Sequence, residues 1–257
     1  MSAPVPVCLT ALRGIPEVLP GTDLSQLLAE ALTAAGIALR SDDVVVVAQK
    51  IVSKAEGRLV SLASVVPGTR AQELAQVTGK DPRLIELVLS ESTEVLRAQK
   101  DVLIVRHRLG FVMANAGIDR SNLAGGAGGT EVLLLPKDPD ASAEGLRTGL
   151  ARRLDVAAGI IISDSFGRPW RRGVVNIALG AAGIPALLDR RGETDRAGRP
   201  LEVTEVAFGD ALAGAAGLIM GEAAEGIPAV LVRGCTPAAA ANPARALIRA
   251  LDQDLFR

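Results

Sequence analysis

Residues 43–58 read DVVVVAQKIVSKAEGR, and residues 157–173 read AAGIIISDSFGRPWRRG. In the first, residues 43–48 form an apolar run of strand length that does not alternate with polar residues. That pattern predicts a strand buried on both faces. In the second, a strand is expected at 157–163, and its apolar run ends on Asp164 and Ser165. A strand with no wet face needs a covering layer on each side, so helices are expected to flank the sheet. Helical periodicity supplies them. Leu24, Leu27, Leu28, Ala31, Leu32 and Ala35 fall at helical spacing over 23–35, with Thr22 or Asp23 as cap and Gly36 as terminator. Asp81–Pro82 and Asp138–Pro139 each place a capping carboxylate before a proline at the first helical position, the second helix running to about 153. A small-residue helix is expected at 204–220 and a C-terminal helix at 243–254. Further strands are expected at 5–12, 102–106, 109–114, 131–135 and 228–233. The result is an α/β (mixed α+β) chain, with mixed sheets and flanking helices.

The chain has 257 residues, 49% hydrophobic and 22% charged, enough to bury a large core. No linker or internal repeat divides it, and residues 1–257 are read as a single catalytic unit. Its formal charge of −1 leaves no global basic field, and aromatic residues make up only 2%. Neither nucleic acid nor an anionic membrane is an expected partner. Its apolar runs are too short for a membrane span, and the N-terminus lacks the features of a signal peptide. Two cysteines, Cys8 and Cys235, form no CxxC unit, so a reducing, cytoplasmic setting is expected.

The common catalytic fingerprints are missing. No GxxxxGK[ST], no strand–helix GxGxxG and no GxSxG is found, and His107 is the sole histidine. Chemistry in this chain therefore rests on carboxylates, Lys, Arg and oxygen-bound metal. Asp164 beside Ser165 at a strand end suits a hard cation, and Arg168, Arg171 and Arg172 would clamp an oxyanion; a solvated turn is the plain alternative. FVMANAGIDRSN places Asn115, Asp119 and Asn122 after a strand, either as a turn or as a second carboxylate sharing divalent ions with Asp164. Gln49, Lys50 and Lys54 follow the 43–48 strand, and in a helix both lysines would face one anion. MGEAAEGIP at 220–228 puts Glu222 and Glu225 among small residues that let backbone N–H groups approach a ligand. The glycine cluster at 123–132 and RRGETDRAGRP at 190–200 read as exposed loops.

In order along the chain, GIPEV, GTDLSQLL, IVSKAEGR, GKDPRLIELVLSES, ANAGIDRSN, LLPKDPDASAEGLR, IIISDSFGRPWRRG, GRPLEVT and MGEAAEGIPAVLVRG together resemble the coenzyme F-420:L-glutamate ligase family. The resemblance covers nearly the whole chain. It implies a GTP-dependent, Mg²⁺- or Mn²⁺-requiring ligase using two or more ions, with K⁺ a further candidate. GTP would activate the carboxylate of the glutamate-free deazaflavin precursor as an acyl phosphate, and the amine of L-glutamate would displace phosphate. Further γ-glutamyl additions occur in some members. By position, Asp119, Asp164, Ser165 and Glu222 match the family's metal ligands. Ile15, Pro16, Glu17, Val18, Gln49, Lys50, Lys54 and Asn122 match its GTP contacts, as do Met220, Gly221, Glu222, Ala223, Ala224, Glu225, Gly226 and Ile227. Asp119, Asp164 and Lys54 are the expected catalytic residues. Arg168, Arg171 and Arg172 are assigned to acceptor or glutamate from their charge alone. The family implies an intertwined homodimer, and the length of this chain leaves no room for the flavin reductase domain fused in some members. A ligase with another acceptor, such as a folate, and a non-catalytic GTP-binding dimer are the competing readings.

Overall fold

A computed structural model of the chain describes residues 6–120, 130–235 and 237–254. In chain order, β1 (Cys8–Ala11) leads to α1 (Leu24–Ala34) and β2 (Val44–Ala48), and α2 (Gln49–Ala55) follows β2 without a break. Next come β3 (Leu59–Ser61), α3 (Thr69–Thr78), α4 (Pro82–Ser90) and the meander β4 (Ser92–Gln99), β5 (Val102–His107) and β6 (Val112–Ala114). After β7 (Glu131–Leu133) lie α5 (Pro139–Leu154) and the long hairpin β8 (Gly159–Arg168) and β9 (Arg171–Ala182). A short pair, β10 (Leu187–Asp189) and β11 (Glu205–Ala207), precedes α6 (Phe208–Met220) and β12 (Ala229–Arg233).

The main sheet has the order β1-β12-β2-β8-β9, with β2 parallel to β8 and the other pairs antiparallel. Val44 through Val47 have no exposed surface. Val45 and Val47 pack with Leu28 and Leu32 of α1 and Leu146 and Leu150 of α5. Val44 and Val46 pack on the other face with Leu212, Ala213 and Ala216 of α6. Burying each such side chain contributes about 1.5–3 kcal/mol, so this strand is the anchor of a three-layer core. The chain is thus mixed α+β, as its periodicity predicts.

A second sheet, β4-β5-β6, packs against α3 and α4 through Leu103, Val105, Leu74, Ile85 and Val88. Along β5 the alternation is strict: Leu103, Val105 and His107 are buried, while Ile104 and Arg106 face the other side. His107 belongs to the structure rather than to catalysis. The Leu109 N–H donates to its Nδ1 at 3.0 Å, which leaves the ring proton on Nε2, 3.5 Å from Glu91. Arg58 and Arg108 reach the same carboxylate at 2.9 and 3.0 Å. Burial alone would raise Glu91; the nearby His107 ring and the two guanidinium groups outweigh it and hold the carboxyl at about 2.

Local capping chemistry is realised as expected. Asp23, Asp81 and Asp138 accept hydrogen bonds from the backbone N–H groups of Gln26, Arg83 and Ala141, and prolines open α4 and α5. The departures are tertiary in origin. No helix spans 243–254; two 3-10 turns, Ala244–Leu247 and Leu251–Gln253, stand there. Asp140 of α5 accepts from the Ala244 and Arg245 N–H groups and pins the segment across the core. The helix expected from 204 begins at Phe208, because Glu205–Ala207 pair with β10. The strand expected at 109–114 shortens to Val112–Ala114, since His107 captures the Leu109 and Gly110 N–H groups in a turn. The strand expected at 157–163 instead runs on to Arg168, because β9 pairs along its whole length. Cys8 and Cys235 are both free thiols. Among the described residues no helix is long and apolar enough to cross a membrane.

Candidate active site

The site forms where β2 and β8 leave the core together. Ala48 pairs with Ser163 at the end of the parallel ladder, and the next residues are Gln49 on α2 and Asp164 on β8. One extra residue, Leu179, bulges from β9 between the Ile162–Gly180 and Ser163–Ala178 pairs. Such a bulge re-aims the side chains that follow it, and the side chains that follow are Ser163, Asp164 and Ser165. Beyond it Ser165 stands opposite Asn176.

Three further segments converge there. The loop after β1 brings Glu17, whose Oε1 lies 2.5 Å from the Lys54 Nζ. The turn after β6 brings Asp119, held by two backbone bonds to Leu133 and paired with Lys50 at 2.8 Å. That turn is wound tightly, with Asn115, Ala116 and Gly117 all at positive φ. The segment after α6 turns at Gly221, with φ 72° and ψ 179°, a region essentially reserved for glycine. A β-carbon there would fall 2.1 Å from the Glu225 carboxyl carbon. Glu225 in turn accepts from the Ala223 N–H at 2.8 Å, folding residues 221–225 into a small loop.

Two cavities open beside these segments. The smaller, about 430 Å³, is lined by Ile15, Pro16, Glu17, Val18, Gln49, Lys50, Lys54, Asp164, Ser165 and the run Met220 to Ile227. The larger, about 1410 Å³, is lined by the outward face of β4-β5-β6, by Asp119, and by Phe166 to Trp170 of the β8–β9 hairpin. Lys50, Asp164, Ser165 and Glu222 border both. They are the seam between the two spaces.

Burial pushes the Asp164 carboxyl up to about 7, against the Ser165 backbone N–H and Lys50; the charges of Asp119 and Glu222 add to the rise. Asp164 therefore senses both neighbouring carboxylates. Oxygen donors in mutual repulsion beside a hydroxyl suit a hard divalent cation, which would relieve that repulsion. Among the described residues, no three His, Cys, Asp or Glu side chains converge into a closed cluster, so a cation would draw the donors together.

Lys50 and Lys54 lie on one short helix, each engaged by a different carboxylate. Gln49 is buried and accepts from the Ser53 hydroxyl. Arg168 borders the larger cavity; Arg171 and Arg172 are exposed on β9 and line neither of these cavities. Asn122 and most of the glycine cluster lie outside the described residues. Sequence reading missed Ser163 and Asn176 in the small cavity, and Arg97, Arg106 and Met113 in the large one. No local motif marks them. They reach the site through strand register.

The chain is similar over most of its length to known ligases. Coenzyme F420:L-glutamate ligase of Methanopyrus kandleri is 46% identical over 245 residues, 94% of each chain. The proteins of the same name from Methanothermobacter thermautotrophicus and Halobacterium salinarum are 45% and 48% identical, over 89% and 87% of this chain and 89% and 85% of their own lengths. These relatives place the chain among ligases. A family model described as F420-0:Gamma-glutamyl ligase matches residues 14–234, and the chain belongs to that family.

Proposed function

We propose that this protein joins L-glutamate to the deazaflavin precursor F420-0, using GTP, and that it adds further glutamates through γ-linkages. The observation that carries the reading is the seam: two cavities of different size and polarity share Lys50, Asp164, Ser165 and Glu222. GTP occupies the smaller cavity, its phosphates toward Lys50 and Lys54. The acceptor enters the larger one and presents its carboxylate at the seam. A carboxylate oxygen bonds to the γ-phosphorus as the bond to the β-phosphate oxygen breaks, releasing GDP. The glutamate amine then bonds to the acyl carbon, phosphate leaves, and the amine gives up a proton.

Asp119, Asp164, Ser165 and Glu222 would hold Mg²⁺ or Mn²⁺, which supplies charge neutralisation for the phosphates. The chain itself supplies position. The β9 bulge opposite them fixes Asp164 and Ser165, the Leu133 bonds fix Asp119, and the Gly221 turn fixes Glu222. Phosphoryl transfer needs little more from protein than such placement and charge, so the lack of a nucleophilic motif is no obstacle. A homodimer working in the cytoplasm completes the proposal.

The test is to incubate the protein with GTP, Mn²⁺, L-glutamate and F420-0 and weigh the products. Successive single glutamyl additions that vanish without GTP are expected. Glutamylation of a folate with F420-0 left untouched would replace the acceptor. GTP binding without ligation of either would replace the enzyme with a regulatory dimer.

A further inference from the structure

The larger cavity holds a positive group that the phosphoryl-transfer seam does not use. Arg106, on the outward face of β5, is enclosed, with 12% of its side chain exposed. Among the described residues its one carboxylate partner is Glu94, whose Oε2 lies 3.4 Å from Nε. That is a long contact for a group with five donors. Arg97 stands beside it on β4 and Arg168 on the hairpin; the remaining carboxylate bordering this space away from the seam is Asp254. Arginine enclosed beside a cavity, with donors to spare, is built for an oxyanion.

The rest of the lining is apolar. In register, Arg106 pairs with Val112, and Ile104 with Ala114, so the sheet offers a smooth floor beside the guanidinium. The hairpin adds Phe166 and Trp170. Trp170 is 88% exposed and sits at φ 66°, the left-handed second position of a two-residue turn that glycine or asparagine usually fills. Along β6 the Arg106 row lies two residues, about 7 Å, before Ala114, after which the chain turns to Asp119.

We propose that Arg106, flanked by Arg97 and Arg168, is the anion-binding subsite of the acceptor cavity. It selects an acceptor with a flat apolar body and an oxyanion, phosphodiester or carboxylate, set apart from the carboxylate that is activated. The proposal rests on the ligase reading for which acceptor this is, and on the cavity itself for the chemistry.

Trp170 is the only tryptophan of the chain, so quenching of its emission reads occupancy of this cavity without turnover. Wild type, Arg106→Gln and Arg106→Lys would be titrated with F420-0 and with the deazaflavin riboside that lacks the phosphodiester and carboxylate. Arg106→Gln is expected to weaken F420-0 binding about tenfold or more, the scale of a lost charged hydrogen bond. Riboside and GTP affinities should stay within about twofold, and Arg106→Lys should recover part of the loss. In turnover the acceptor KM should rise with kcat little changed. An unchanged F420-0 affinity in Arg106→Gln that still binds GTP would overturn the subsite, and so would an equal loss for the riboside. If wild type binds a folate rather than F420-0, the ligase reading fails on its acceptor. The subsite then stands if Arg106→Gln weakens the folate by the same factor, and falls if it does not.

Discussion

Lys50 and Asp119 meet at 2.8 Å, one from the helix that follows the most buried strand, the other from a tight turn beyond the small sheet. The pair ties the wall of the smaller cavity to the wall of the larger. A divalent cation entering the seam would compete with Lys50 for Asp119 and release the ammonium toward a phosphate. Lys50→Met is therefore expected to tighten Mn²⁺ binding by a few fold while raising the KM for GTP. Calorimetric titration of the metal alone, beside steady-state kinetics, checks both signs.

Asp164 is costly to keep charged, because burial and the neighbouring Asp119 and Glu222 all oppose ionisation. Asp164→Asn should lower ligase activity by at least about a hundredfold, on the scale of losing a preorganised charge contact. Its metal-free melting temperature should be no lower than that of wild type. A large fall in that temperature would show that the carboxylate serves the fold instead.

Glu91 makes the opposite case. Its carboxyl is held at about 2, below the ordinary 4.5, so its stabilisation is fully present above pH 4.5 and is lost as pH falls through about 2. Glu91→Gln leaves Arg58 partly enclosed without its counter-charge and should cost about 3 kcal/mol at neutral pH. Urea denaturation at pH 7, 4 and 2.5 should show the gap between the two proteins closing as the acid carboxyl is protonated.

Gly221→Ala would force an ordinary side chain into a backbone region it avoids and onto the Glu225 carboxyl. The 221–225 loop must then open. GTP affinity is expected to fall about tenfold or more, with a stability loss of about 1–3 kcal/mol. Nucleotide titration and thermal melting separate the two effects.

Gly180→Ala is the structural control. A β-carbon there would lie 2.1 Å from the Pro139 carbonyl oxygen, where α5 crosses β9. Backbone cannot swing aside as a side chain does, so about 1–3 kcal/mol of destabilisation is expected, measured by urea unfolding, with substrate KM values unchanged.

Much of this was legible from local chemistry. The four valines of β2 announce a strand with no wet face, and Asp–Pro pairs announce the starts of α4 and α5, because each signal sits within a few residues of what it determines. Where partners are remote, the reading failed. Residues 164–168 are too polar to read as strand, yet β9 holds them in one. Residues 243–254 have helical composition, yet Asp140, a hundred residues away, takes their first N–H groups. The site follows the same division. Asp119 and Asp164 stand out by their position after strands, Glu222 by its small-residue loop before one, and all three by family likeness. Arg97 and Arg106 occupy outward strand positions that, in sequence, look like any wetted face.

β8 is two things in one strand. Up to Ser163 it is sealed in the core, and from Ser165 onward it is a projecting arm whose only main-sheet partner among the described residues is β9. Phe166 still packs with Leu179, Met113 and Leu135, but changes at the tip, from Gly167 to Trp170, alter the wall of the larger cavity without disturbing the packing that holds Asp164. Under the proposed reaction, a lineage could shift to a new acceptor by editing a handful of arm residues, leaving the phosphoryl-transfer seam as inherited. The same separation gives an engineer a short, contiguous segment to randomise when a different acceptor is wanted.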